Sequence, residues 1–455
     1  MMKPTGKRVW LLVLCLAITC AIAAASLFQD VAPGGAGDVK NILPEKARAA
    51  LRNDWLRWRL DNIIPMVMRR EGIDMWLVVN REYNEDPVYM SMMPEPTMSA
   101  RRTSILIFHD RGAQAGVERL TGSYYGTGDW YKGTWTDKKK DQFDSLAEFI
   151  KSRNPQKIGI NVSEHFYFGD GLTAALKAKL EKALGPEYTK RFVSAERLCI
   201  GWLETRSPQE MSVYRHLCGI AHDIIREFYS NKVITPDVTT TEDVVWWIRQ
   251  RLTELGIETW FQPSIDIQRR KKEAEKAGQD RTIRRGDVLH CDFGIKYLGL
   301  CTDMQWQAYI LKPGETDAPA GLQAALDRAN RLADLFLTEF KEGRSGTEIV
   351  ESAMKKGTDE GLRPSIYTHA LGLHGHAAGC TMEGRPPETA PEGTKERGTY
   401  TLFPNTAYSI EFSSTSSIPE WDGQDVRIAY EDDALFTGGA AKFIDGRQLK
   451  FLLIK

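Results

Sequence analysis

Apolar residues recur at helical spacing over residues 46–71: Trp55, Leu56, Leu60, Ile63, Ile64, Val67 and Met68 fall on one face, and Gly72 supplies a stop. Ile73–Val79 and Ser104–Phe108 are short unbroken apolar runs and predict buried strands. The pattern then predicts a helix over 144–152, a strand over 157–162, a helix over 172–184 and a strand over 191–198. Strand alternating with helix implies an α/β unit spanning 46–205. A second unit, 206–455, opens on Ser207-Pro208-Gln209-Glu210: a capping serine, a proline at the first helical position, then an acid. It continues with helices to about Tyr229, over 241–255 with Gly256 as stop, over 321–342 and over 347–360. Strands are expected over 259–267, over 288–311 and as a series of short ones through 366–437. Helices first and paired strands later predict an α+β unit built on a curved antiparallel sheet.

The first residues follow a different rule. Lys3, Lys7 and Arg8 precede an apolar run, Val9–Ala25, that exits through small residues fitting an A-x-A cleavage pattern. Positive start, apolar middle and small-residue exit predict a secretory signal peptide over 1–25, and so export to the periplasm or outside the cell. The alternative is a retained N-terminal membrane anchor, for which a run of this length lies at the lower limit. Cleavage removes three cations and moves the net charge from −1 to −4. Residues 26–45 are rich in Gly and Pro and read as a flexible lead-in.

Composition narrows the function classes. The 455 residues carry 60 Lys+Arg against 61 Asp+Glu, so no positive field exists to hold nucleic acid. No second apolar run is long enough to cross a membrane, and none is expected to remain after signal cleavage. The five cysteines beyond the signal (Cys199, Cys218, Cys291, Cys301, Cys380) are odd in number and widely spaced, and read as small buried residues rather than a disulfide framework. The basic runs Lys138–Lys140 and Arg269–Lys272 read as solvated loops. A G-x-S-x-G elbow, an H-E-x-x-H helix, a P-loop and a complete G-x-G-x-x-G are all missing, which removes the usual signatures of serine hydrolases, zincins and nucleotide enzymes.

The informative stretch is Cys291–Asp303, CDFGIKYLGLCTD. Asp292 and Asp303 lie on strand-like flanks either side of a connection from Gly294 to Gly299. Paired as a hairpin, they point their carboxylates to one face. An acid inside an apolar strand is costly unless paired or bound to a cation, and two facing acids favour a divalent metal between them. Strand alternation turns Cys291 away from Asp292 and puts Cys301 on the face of Asp303, which argues against a disulfide between these cysteines. A second cluster, His369-Ala-Leu-Gly-Leu-His374-Gly-His376, holds three of the eight histidines. Glu411 in AYSIEF and Glu431 in VRIAYEDDALFT again place acids in apolar strands.

This order of residues, Asp-x10-Asp, then His, Glu and Glu, resembles the pita-bread (M24) metallopeptidases: methionine aminopeptidase, aminopeptidase P, prolidase and the metal-free creatinase. The resemblance implies a pita-bread catalytic domain over 206–455 behind a creatinase-like α/β domain. It implies a terminal metal ligand at Asp292, bridging carboxylates at Asp303 and Glu431, and ligands of a second metal at His369 and Glu411. Glu411 is thereby also placed in the catalytic set. His376, seven residues after His369, matches the histidine that helps bind substrate, and Arg427 resembles the arginine near the last glutamate, displaced here by an even number of residues. Two divalent ions (manganese, cobalt, iron or zinc) would balance the four carboxylates, hold a bridging water and polarise an amide carbonyl. The implied reaction is hydrolysis of X-Pro bonds, and the implied assembly a homodimer. The pattern also departs from the family. Thr368-His369-Ala370 replaces G-H-G, His376-Ala377 replaces His-Glu, and Glu411-Phe412-Ser413 replaces E-P-G. Ser365 stands where a histidine is usual, and Lys271–Lys276 lacks the substrate-contacting histidine. His374 and His290 are the candidate substitutes. An altered substrate shell around an intact metal set leaves two other readings: a metal-dependent hydrolase or lyase acting on a non-peptide small molecule, and a binding protein without catalysis.

Overall fold

The computed structural model describes residues 37–455 except 387 and 392, so the signal-peptide reading of 1–25 and most of the lead-in lie outside the described residues. The first helix, Glu45–Glu71, ends where Gly72 turns left-handed (φ 62°) and donates to Met68 and Arg69 carbonyls. A six-stranded mixed sheet follows, in the order Lys132–Gly133, Val117–Thr121, Thr103–Asp110, Met75–Arg81, Ile158–Ile160, Phe192–Ser194. Its central strand pairs antiparallel with Thr103–Asp110 and parallel with Ile158–Ile160. The two-residue period decides which core each side chain joins. Trp76, Val78, Leu106 and Phe108 face one hydrophobic cluster, and Met75, Leu77, Val79, Ile105 and Ile107 face another. Both faces are covered, which is why these strands read as unbroken apolar runs.

The predicted strand over 191–198 stops at Ser194, and Glu196–Glu204 is a helix that buries Leu198, Cys199, Ile200, Trp202 and Leu203. The strand Val117–Thr121 and the edge strand Lys132–Gly133 had no apolar signature to predict them.

Three later helices start at reciprocal caps: Ser207 with Glu210 for Pro208–Phe228, Thr240 with Asp243 for Thr241–Leu255, and Ser345 with Glu348 for Gly346–Asp359. A four-stranded sheet runs Leu452–Ile454, Gln307–Ile310, Val288–Asp292, Ser264–Gln268. A five-stranded sheet runs Met382–Glu383, Pro364–Leu371, Thr406–Ile418, Gln424–Phe436, Lys442–Phe443. A bridge between Gln305 and Glu431 ties the two together. The short strands expected in 366–437 are instead dominated by two of 13 residues each, paired along their whole length. Helix Ala320–Leu337 packs across this pair. The architecture is α+β, with the pattern-derived order of elements otherwise preserved.

The basic run Arg269–Lys272 is not a solvated loop. Arg269 is partly buried and makes a 2.7 Å ion pair with the buried Asp287, while Lys271–Ala277 is a short helix whose lysines stay exposed. The Lys138–Lys140 run is exposed, as expected. All five described cysteines are free and buried. Among the described residues, no helix is long and apolar enough to cross a membrane.

Candidate metal centre

One register governs the Asp292–Asp303 hairpin. Gln307 lies opposite His290, Phe293 opposite Met304, and Leu300 opposite Tyr297. The same register sets Gln305 opposite Asp292 and Gly294 opposite Asp303, so both carboxylates stand on one face two rungs apart. The turn is tighter than the sequence suggested: Leu298 and Gly299 alone reverse the chain, both at positive φ (54° and 77°). Gly294 is a close-approach position, since a Cβ there would lie 2.2 Å from the Thr302 carbonyl oxygen.

The five-stranded sheet supplies the other groups. Glu411 and Glu431 sit directly opposite one another on adjacent strands, and His369 lies opposite Ser409 on the next strand over. His369 Nε2 is 3.5 Å from Asp303 Oδ2 and 3.9 Å from Glu431 Oε1. Ligand atoms of Asp303, His369 and Glu431 all fall within 4.8 Å of each other, and all three residues are buried. Asp303 Oδ1, His369 Nε2 and Glu431 Oε1 have no hydrogen-bond partner. Buried polar atoms are normally satisfied, so orphaned atoms on three buried residues brought this close together are the pattern a cation would complete.

The electrostatics agree. Burial pushes the Asp292 carboxyl up to about 6 and Glu411 up to about 8, the latter also through the charge of Asp292. Asp303 and Glu431 are pushed well above the usual carboxylate range, Asp303 by burial and then the charge of Asp292, Glu431 by burial and then the charge of Asp303. Burial lowers His369 to about 3, which keeps its imidazole neutral, the form that binds metals. Four crowded carboxyls without a cation resist ionisation; a divalent ion reverses that logic. The residues fit such an ion.

The predicted site residues separate into two groups. Asp292, Asp303, His369, Glu411 and Glu431 come together in one cluster. His376 stands beside it, its ring perpendicular to that of His369 at 4.5 Å and flanked by Trp260 at 5.2 Å and Tyr367 at 6.2 Å. Desolvation of that flank and then the charge of Arg397 lower its pKa. Arg427 is exposed further along the strand of Glu431, opposite Thr415, and its charge draws Glu411 downward. His374 does not reach the cluster: its ring stacks on Phe168 at 4.5 Å, at the junction with the first sheet's elements. His290 does approach it, through Gln305. Ser365 is exposed at the start of its strand, and Lys271–Ala277 presents no histidine. Thr368, in place of a glycine, bonds both to the Glu411 carbonyl (2.9 Å) and from the Glu411 N–H (3.2 Å), so the substitution still ties the two strands together.

Sequence reasoning missed four participants. Gln305 donates to Glu411 Oε1 (3.0 Å) and Glu431 Oε2 (2.7 Å); its even spacing from Asp303 was the available signal. Asp433, two residues beyond Glu431, accepts from the Asp303 backbone N–H at 3.1 Å. Trp260 bonds to the Thr302 carbonyl at 2.9 Å and fills the space over Gly375, where a Cβ would lie 2.1 Å from its ring. Arg397 lies over Tyr167 and has a buried Nη1 without a partner. Nothing in the local pattern marked the last two.

The sequence profile of metallopeptidase family M24 matches residues 212–438. These residues belong to that family. Solved structures agree on the fold. The X-Pro aminopeptidase from Thermotoga maritima MSB8 superposes with a TM-score of 0.59 at 16% identity, over 85% of this chain and 99% of that one. The Xaa-Pro dipeptidase from Bacillus anthracis gives 0.54 at 19% identity, over 90% and 100%. Proline aminopeptidase P II from Yersinia pestis gives 0.54 at 15% identity, over 86% and 96%. Compared by sequence with curated proteins, the chain matches none. The buried Asp303–His369–Glu431 group, within the matched residues, is where a divalent metal fits.

Proposed function

We propose that the protein is an exported, dinuclear-metal-dependent peptidase that hydrolyses X-Pro bonds, of aminopeptidase P or prolidase type. The observation that carries this reading is the buried convergence of Asp303, His369 and Glu431 with three orphaned ligand atoms, extended by Asp292 and Glu411. In this reading Asp292 would hold one ion, His369 and Glu411 would hold the other, and Asp303 and Glu431 would serve both. Two divalent ions would neutralise the four carboxylates, and manganese, cobalt, iron and zinc all suit carboxylates with one imidazole. When bound, such a pair supplies Lewis-acid polarisation of an amide carbonyl and lowers the pKa of an attacking water.

The chain's own residues supply the rest. His376, beside the cluster but outside it, would donate from its imidazole to the substrate carbonyl oxygen. Trp260 and Tyr367 flank that imidazole and limit water around it. Arg427 favours the ionised form of Glu411. Arg397, whose charge is felt at His376, has a buried guanidinium N–H without a partner, and would suit the free carboxylate of a dipeptide. Residues 46–205 form the accessory unit and 206–455 the catalytic one. The apolar run Val9–Ala25 supports export through a cleaved signal, and family resemblance supports a homodimer.

The test is incubation of purified protein with X-Pro-Y peptides and X-Pro dipeptides in manganese or cobalt, then with a chelator. Cleavage that needs metal is expected; no cleavage in any metal would sink the reading. The exposed, histidine-free helix Lys271–Ala277 keeps a second reading, a metal-dependent hydrolase or lyase on a small molecule. Metal-dependent turnover of metabolites with no peptide cleavage would favour it.

A further inference from the structure

Three strands bring Asp266, His290 and Gln305 into a line that ends on the cluster. His290 lies between Asp266, directly opposite on one neighbouring strand, and Gln307, directly opposite on the other. Its Nδ1 is 3.5 Å from Asp266 Oδ2, and its Nε2 is 2.8 Å from Gln305 Oε1. The other end of the Gln305 amide reaches Glu411 Oε1 at 3.0 Å and Glu431 Oε2 at 2.7 Å.

The chemistry of the groups fixes the direction of every bond. With divalent ions in the site Glu411 and Glu431 would be ionised and could only accept, so the amide must present its NH2 to both. Its oxygen must then face a donor, and His290 Nε2–H is that donor. A glutamine without this partner is free to turn its amide over and present an oxygen to two carboxylates, a repulsive arrangement. Gln305 also decides which oxygens remain available: with Oε2 of Glu431 engaged, Oε1 is the one left unpartnered beside His369 and Asp303. Resting on the metallopeptidase reading above, we propose that His290 is a positioning residue: it locks the orientation of the Gln305 amide, which in turn aims the metal-facing oxygens of Glu411 and Glu431. It touches neither substrate nor metal.

Groups that orient metal ligands typically cost about 10- to 100-fold in metal affinity when removed. The experiment measures manganese affinity of the full chain by competition with a fluorescent chelator, together with the visible spectrum of the cobalt-loaded protein. His290→Ala is expected to weaken manganese binding about 10- to 100-fold and to shift the cobalt bands. His290→Gln, which can still donate, is expected to retain more affinity than the alanine variant. Gln305→Leu should weaken binding at least as much, and adding His290→Ala to it should change nothing further, because His290 acts only through Gln305. Unchanged affinity in His290→Ala, or an equal loss in both backgrounds, overturns the proposal. Circular dichroism of the metal-free variants checks folding; if His290→Ala unfolds, His290→Gln alone and combined with Gln305→Leu carries the same comparison. Wild type and Asp303→Asn run in parallel. Wild type that binds no divalent ion sinks the metallopeptidase reading itself, whereas tight wild-type binding with an unaltered His290 variant sinks only the positioning role.

Discussion

Replacing Glu411 by glutamine should stabilise the metal-free protein while weakening its response to metal. Burial and the charge of Asp292 raise the Glu411 pKa from 4.5 to about 8 in the folded chain. The sign follows from the direction. A carboxyl whose folded pKa lies above its unfolded value contributes fully below the unfolded pKa, and that contribution is lost as pH rises toward the folded one. Each pKa unit corresponds to about 1.4 kcal/mol, so holding Glu411 ionised near pH 8 without a cation costs on the order of 3 kcal/mol once coupling to its neighbours is allowed for. Glutamine keeps the shape and an acceptor for Gln305 but carries no charge. At roughly 1 °C per kcal/mol for a chain of this size, Glu411→Gln should raise the melting midpoint in chelator by about 3 °C near pH 8 and leave it nearly unchanged near pH 4.5. Added manganese should stabilise wild type strongly and the variant weakly, reversing their order. The assay is differential scanning fluorimetry across pH, with and without metal. A variant that is less stable than wild type in chelator at pH 8, or that gains as much at pH 4.5, would refute the reasoning.

Other outcomes follow from the same geometry. Gly375→Ala would place a Cβ 2.1 Å from the Trp260 ring; it should displace the indole and lower X-Pro turnover at least tenfold while leaving manganese affinity within about threefold, read by steady-state kinetics and chelator competition. Glu204 is fully buried away from the cluster, bonded to the Tyr400 hydroxyl at 2.9 Å, and burial raises it from 4.5 to about 8. Glu204→Gln should therefore also raise the melting midpoint near pH 8 and not near pH 4.5, but with no dependence on metal, which separates it from Glu411→Gln. Arg397→Met should raise KM for X-Pro dipeptides more than for longer X-Pro-Y peptides, whose carboxylate lies elsewhere; equal effects on both would remove the assigned role.

Much of the scaffold was legible because local chemistry and tertiary packing agree there. Serine and threonine caps with a matching acid mark the starts of three helices, and Gly72 and Gly256 mark two ends. The five cluster residues were visible because each is an acid or a histidine where an apolar strand has no reason to carry one. Legibility failed where partners come from distant sequence. Arg269 looked solvated because its neighbours are basic, yet the buried Asp287 neutralises it. Phe192–Ser194 and Glu196–Glu204 form one continuous semi-apolar stretch, and periodicity over so few residues does not separate strand from helix. Trp260 lies in a segment that reads as strand; only the fold shows it filling the space above Gly375. Glu431, Asp432 and Asp433 look alike in sequence, but strand alternation gives them different tasks: Asp432 bonds to His222 and Trp306, while Asp433 holds the Asp303 backbone.

The most direct test of the central claim is metal content and X-Pro peptide cleavage measured on one preparation of wild type and Asp303→Asn. The account predicts two divalent ions per wild-type chain with metal-dependent cleavage of the X-Pro bond, and loss of both in the variant. Wild type that cleaves X-Pro peptides without bound metal, or Asp303→Asn that cleaves them as fast as wild type, would contradict it.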